Sequence, residues 1–151
     1  MKRLATAALG LVLAASAAGA GPDRVSLLFG SYHINARDDY DQLNPGVFLT
    51  WEGRFETTLG VYRNSYGKIA ESAQVLYPVA NWKNGQLQVF AGIAHYPGDG
   101  DTVAVHLGDL IPIAGLSARW GNLFAVMIPC FCEGFDALVA GGVTFPIGQR
   151  P

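Results

Sequence analysis

The chain has 151 residues, half of them hydrophobic and only 15% charged, with 11% aromatic residues and 19 glycines. That is room for one domain with its own core, and the aromatic content excludes a disordered chain, which would be polar and poor in aromatics. Ten Lys and Arg against twelve Asp and Glu give a net charge of −2 without a basic run, so a nucleic-acid partner is not expected.

Lys2 and Arg3 begin the chain as a short positive region, Leu4 to Leu13 follow as an apolar stretch, and Ala18-Gly19-Ala20 supplies a small-x-small cleavage pattern. Residues 1–20 therefore read as a secretory signal peptide, and residues 21–151 as the mature, exported domain. A membrane-anchoring helix needs about 20 continuous apolar residues; the apolar run here is shorter and ends in small residues, and none after Ala20 reaches that length.

Eight short runs rich in aromatic and β-branched residues follow, separated by Gly, Asn, Asp and Pro. They are Val25 to Asn35, Gly46 to Glu52, Phe55 to Arg63, Ile69 to Val79, Gln86 to His95, Leu110 to Trp120, Leu123 to Pro129 and Ala137 to Ile147. The connections alternate in length. Those at Glu52-Gly53-Arg54, Asn81 to Gly85 and Gly121-Asn122 are tight; those at Ala36 to Pro45, Asn64 to Lys68, Tyr96 to Asp109 and Cys130 to Asp136 are longer or more polar. In an up-and-down meander, alternate connections fall at the same end. One end trimmed to turns and the other carrying loops is the asymmetry of transmembrane barrels. The expected fold is all-β, an eight-stranded antiparallel up-and-down transmembrane β-barrel. Alternation within the runs is loose: Leu28 and Ile34 interrupt the polar face of the first, and Phe90 that of the fifth. Such a mixed lumen suits an interior packed with apolar side chains or holding an apolar ligand rather than a water-filled pore. A soluble, lipocalin-like periplasmic carrier is the alternative.

His33 closes the first run, and Ser65 opens the connection after the third. In the meander both fall on the long-loop rim, where an imidazole and a hydroxyl together suit acyl transfer, the imidazole taking a hydroxyl proton. The residue types alone are weak signals, since most barrels carry a His and several Ser near the rim.

The pattern around them is more specific. Beyond the terminal His33 come Tyr40-Asp41-Gln42-Leu43-Asn44-Pro45-Gly46, then Tyr62-Arg63-Asn64-Ser65, the Leu and Gly pattern of Gln86 to Gly92, Leu110-Ile111-Pro112, and Val126-Met127-Ile128-Pro129. In this order the chain resembles the outer-membrane lipid A palmitoyltransferases of the PagP type over most of residues 29–147. The resemblance implies catalytic roles for His33 and Ser65, with Asn64 at the position of the family's Asp. It also implies substrate contacts from Tyr40, Tyr62 and Arg63. An Asp can orient and charge-stabilise a His, whereas Asn can only hydrogen-bond. The chain also departs from the family in having no room for an N-terminal amphipathic helix before the first strand and in ending without a terminal aromatic.

Pro112 and Pro129 stand within or at the end of strand-like runs, where a missing N–H opens the sheet ladder. The alternative is a bulge or a strand end. In the resembled family such seams admit lipids sideways, so both residues are assigned to lipid access. The implied function is transfer of a palmitate-like chain from a phospholipid donor to the lipid A part of lipopolysaccharide, by a monomer in the outer membrane and without a cofactor. His33 is expected to act as general base toward the acceptor hydroxyl, and Ser65 to stabilise the oxyanion rather than attack. The rivals are a non-catalytic structural barrel, a lipid A deacylase and the soluble carrier.

No metal site is expected. His95, His106, Asp99 and Asp101 lack ligand spacing, and Asp38, Asp39 and Asp41 read as a solvated loop. Cys130 and Cys132, as Cys-x-Cys on an extended chain, are poorly placed for the roughly 5.5 Å Cα separation of a disulfide, although a loop turn would allow one.

Overall fold

A computed structural model describes residues 21–130 and 132–148. The expected signal peptide, residues 1–20, lies outside them. The described residues form eight strands: β1 (Arg24–Ile34), β2 (Leu43–Trp51), β3 (Glu56–Arg63), β4 (Ile69–Trp82), β5 (Gly85–His95), β6 (Leu110–Trp120), β7 (Leu123–Pro129) and β8 (Ala137–Pro146). Each pairs antiparallel with its neighbours in sequence, and β8 returns to β1 to close the barrel. Closure pairs every strand with a neighbour on both sides over at least part of its length. One 3-10 turn, Gly100–Thr102, interrupts the long connection after β5.

Two prolines lie inside strands that were expected to stop short of them or soon after. β2 begins at Leu43, which pairs with Gly30, so Asn44 and Pro45 belong to the strand rather than to the preceding loop. The β1–β2 register shifts between Leu28 and Gly30, and an irregular ladder of this kind tolerates a residue without an N–H. β4 runs through Pro78 to Trp82 past a second register shift between Pro78 and Ala80.

Closure resolves the loose alternation into two faces. Leu27, Phe29, Val47, Val61, Val75, Val89, Leu116 and Met127 are exposed on the outside, while Ser26, Leu28, Thr58, Leu76, Gln88, Phe90 and Ile113 are buried within. The interior is itself stratified. At the tight-turn end Arg24 Nε donates to Glu52 Oε1 at 3.1 Å and Arg119 reaches the same oxygen at 3.5 Å. Gln86 Nε2 donates to Glu56 at 2.9 Å, and hydroxyl pairs join Ser26 to Thr144 and Thr50 to Thr58, each at 2.8 Å. Toward the long-loop end the lining turns apolar, with Leu76, Phe90, Ala94, Ile111 and Ile113 packed together and joined by Val126 and Ile128.

Glu52 is the acid shared by two arginines at that polar floor, with all three side chains less than one-fifth exposed. Removing one partner of a buried ion pair leaves uncompensated charge. Glu52→Ala is therefore expected to destabilise the barrel by about 3 kcal/mol, read as a lower urea midpoint for unfolding. An unchanged midpoint would show the floor to be solvated.

The β6–β7 ladder is short. It runs from Leu116 opposite Met127 to Trp120 opposite Leu123, so Leu110 to Gly115 have no registered partner on β7, although all of them pair with β5. Pro112 sits in the middle of this stretch.

Candidate functional site

His33 is the penultimate residue of β1, paired with Leu138 of β8 and only 3% exposed. Ser65 follows β3 by two residues. The two strands are not neighbours, yet barrel curvature brings His33 Nε2 to 2.8 Å from Ser65 Oγ. This is hydrogen-bond contact between an imidazole and a hydroxyl, the arrangement that a base and a nucleophile require. The other ring nitrogen, Nδ1, is buried and without a hydrogen-bond partner, so Ser65 is the polar group that His33 engages.

Aromatic rings hold the imidazole in place. Tyr40 stacks on it at 4.5 Å between centroids and 19° between planes, and Phe135 meets it edge-on at 4.7 Å. Tyr40 and Phe135 also contact each other at 5.2 Å. Gly134 permits this packing, because a Cβ there would lie 1.9 Å from the Tyr40 hydroxyl. Burial, with smaller effects from Tyr66 and Asp38, raises the Tyr40 hydroxyl above its ordinary pKa, so the ring is neutral at pH 7. Tyr40, expected to contact substrate, forms one wall of the His33 site.

Asn64 is 1% exposed. Its Oδ1 accepts from the backbone N–H groups of Tyr66 at 3.0 Å and Lys68 at 2.9 Å. Together with the Asn64 N–H to Lys68 O bond at 2.7 Å, these close the turn that presents Ser65. Asn64 thus spends its carbonyl on the turn, and its Nδ2 is buried without a partner. Arg63 Nη2 donates to Asp41 at 2.7 Å, bracing the loop before β2 against the same turn. Tyr62 stacks on Phe48 at 5.7 Å and approaches Tyr96 edge-on at 6.4 Å inside the barrel mouth.

Ser65, Asn64 and Asn44 all line an interior cavity that continues down between Leu28, Leu76 and Phe90 to Gln88. Its empty space is about 1010 Å³, including the part open to solvent. A second cavity lies against the unpaired part of β6, between Pro112, Pro129, Val103 and Tyr66. Ser65 is on the wall of both cavities, as are Tyr96 and Ile113.

Cys130 and Cys132 form a disulfide, with Cα atoms 5.2 Å apart. The extended spacing expected from the sequence does not hold, because the chain leaves strand geometry after Pro129. Two residues fully extended would separate the Cα atoms by roughly 7 Å. Both cysteines line the second cavity. His95 and His106 are engaged separately, His95 facing Glu71 at 4.0 Å and His106 the Gly108 carbonyl at 3.2 Å. Asp41 is paired with Arg63, and Asp99 receives Lys68 at 2.8 Å. No cluster of three metal-ligating side chains occurs among the described residues.

Sequence reading missed Asn44 and Phe135. Asn44 was read into a loop because Pro45-Gly46 follow it, which is a turn signal. Phe135 carried only the faint signal of an aromatic within a polar loop.

Compared with known proteins, the chain matches no family model, and no curated protein matches it significantly.

Proposed function

We propose that this protein is an outer-membrane acyltransferase that moves a palmitate-like chain from a phospholipid to the lipid A part of lipopolysaccharide. The observation that carries the reading is the His33 Nε2–Ser65 Oγ contact of 2.8 Å at the mouth of a cavity whose upper part is apolar. A base–hydroxyl pair above an apolar shaft fits an ester whose fatty chain lies in the barrel.

The outer surface supports a membrane setting. Apolar residues face outward on every strand, and Phe55, Tyr77, Trp82, Trp120 and Phe145 are exposed near the tight-turn end, the pattern of an aromatic girdle at an interface. Strands of 7 to 14 residues bracket the length that crosses a bilayer at a tilt. The tight turns would face the periplasm and the loops the exterior. The missing β6–β7 ladder around Pro112, beside the second cavity, supports sideways entry of lipid from the bilayer.

The geometry favours Ser65 as the attacking group over the role of oxyanion stabiliser. His33 Nδ1 is buried, and Nε2 is engaged by Ser65, so the proton within reach of the base is that of Ser65. His33 Nε2 takes this proton while Oγ bonds to the donor carbonyl carbon and the C=O π pair moves onto the carbonyl oxygen. Collapse of this intermediate breaks the ester bond, and the departing lysophospholipid oxygen takes the proton back from Nε2. The acceptor hydroxyl then gives its proton to Nε2 and attacks the acyl-Ser65 ester. Ser65 leaves with that proton, and both groups are restored.

The test is incubation of the folded protein in vesicles of phospholipid and lipid A, with all lipid products weighed by mass spectrometry. Equal amounts of lysophospholipid and acylated lipid A are expected. Free fatty acid without acylated lipid A would replace the transferase by a hydrolase, and unchanged lipids would leave a structural barrel.

A further inference from the structure

Burying a polar N–H without a partner costs free energy, and two such groups lie close to Ser65. Asn64 Nδ2 and Asn44 Nδ2 are both buried, their residues 1% and 4% exposed, and neither has a hydrogen-bond partner. Both residues line the cavity that holds Ser65. Continuing the β2–β3 register outward from Gly46 opposite Tyr62 sets Asn44 opposite Asn64, so both amides belong to one patch of the rim. The orientation of Asn64 is fixed chemically. Two backbone N–H groups converge on its Oδ1, and only a carbonyl oxygen can accept both. Its NH₂ must therefore be the group left over. At Asn44, Oδ1 is the atom facing the Ser31 hydroxyl, which leaves Nδ2 as the group without a partner.

We infer that the side-chain amides of Asn64 and Asn44 form the oxyanion hole of this site, Asn64 as the principal donor. The inference rests on the acyl-transfer reading above. When Ser65 Oγ bonds to the ester carbon, the electron pair displaced onto the carbonyl oxygen is met by the two N–H donors. When the leaving alkoxide departs, the pair returns to re-form the carbonyl. Preorganised donors of this kind act in the transition state because the charge they meet develops there. Asn at position 64 is then a donor in its own right and does not replace an acid behind His33. An Asp would put acceptor oxygens on both sides of the side chain.

The two roles of Asn64 are separated by Asn64→Asp. A carboxylate oxygen accepts the Tyr66 and Lys68 N–H groups as the amide oxygen does, so the turn is retained, while the Nδ2 donor is lost. If Asn64 served only the turn, the variant would keep wild-type transfer. As an oxyanion donor, its replacement by Asp should lower kcat by about 10²–10³-fold with the amount of folded, heat-modifiable barrel unchanged. Asn44→Leu, which leaves the Ser65 turn intact, should lower kcat by at least 10-fold and serves as the second variant should Asn64→Asp misfold. Both are compared with wild type for transfer from phospholipid and for covalent labelling of Ser65 by a long-chain alkyl fluorophosphonate, whose adduct carries a tetrahedral P–O group in place of the oxyanion. Slower transfer and slower labelling in both folded variants support the assignment. Wild-type rates in either folded variant, while the wild type itself is active, overturn the donor pair and leave the acyl-transfer reading standing. A wild type that neither transfers nor labels overturns both.

Discussion

Ser65→Ala is expected to reduce acyl transfer by about 10⁴–10⁶-fold, the scale of loss when the nucleophile is removed from a unit that works together. Assembly should be spared. Ser65 lies outside the strands, two residues beyond Arg63, and its side chain contributes one hydrogen bond, to His33, worth about 1 kcal/mol of stability. The informative measurement is single-turnover: intact-protein mass spectrometry after brief exposure to phospholipid without acceptor. Wild type should gain one acyl group on Ser65, and Ser65→Ala should gain none. Ser65→Cys, which retains a nucleophilic atom beside the same imidazole, should still be acylated. Near wild-type transfer by a folded Ser65→Ala protein would remove Ser65 from the covalent chemistry and return the base role to an acceptor hydroxyl bound directly at His33.

His33→Ala should lower the rate by about 10²–10⁴-fold, the usual contribution of a positioned general base. The ring also fills the space between Tyr40 and Phe135, so a stability loss of about 1–3 kcal/mol should accompany it. His33→Gln keeps much of the volume without a group able to take a proton, and separates the two effects. Its barrel should unfold close to wild type while its transfer stays as slow as that of the Ala variant. In wild type the rate should fall on the acid side as the imidazole is protonated, and that limb should vanish in His33→Gln. Wild-type transfer by folded His33→Gln would show that the imidazole is structural and moves no proton.

Much of the barrel was legible in the chain because its signals are local. β6 and β7 carry the expected bounds Leu110–Trp120 and Leu123–Pro129, and the remaining strands differ at their ends. Aromatic and β-branched runs cut by Gly, Asn and Asp mark strands, and alternating connection lengths mark a meander. β2 and β4, each longer by three residues at one end than expected, contain Pro45 and Pro78, the first expected in the preceding loop and the second one residue before the end of its run. The structure keeps them where the ladder is already irregular, beside the shifts at Leu28/Gly30 and Pro78/Ala80. No single-chain pattern reports such a shift, because it belongs to the pair of strands.

The site divides in the same way. His33 and Ser65 were nameable as a pair on the long-loop rim, since meander order alone sets the ends of β1 and β3 on one side. Their 2.8 Å contact was not, because it depends on how the curved wall sets the turn after β3 against the end of β1. Asn64 shows the limit most clearly. Its chain position suggested a substitute for an acid, but hydrogen bonds to Tyr66 and Lys68 decide which end of the amide is left without a partner. The Cys130–Cys132 pair likewise needed the turn after Pro129 to bring its Cα atoms to 5.2 Å. By itself the sequence determined the number of strands, their order and the end of the barrel to which His33 and Ser65 belong, because strand and turn propensities act over a few residues. Only the tertiary structure decided which rings enclose His33, how the interior divides into polar floor and apolar shaft, and where β6 and β7 part. Those features arise when closure brings together residues as far apart in the chain as Asp23 and Gly148, whose backbones hydrogen-bond at 3.0 Å, and no local pattern encodes such a contact.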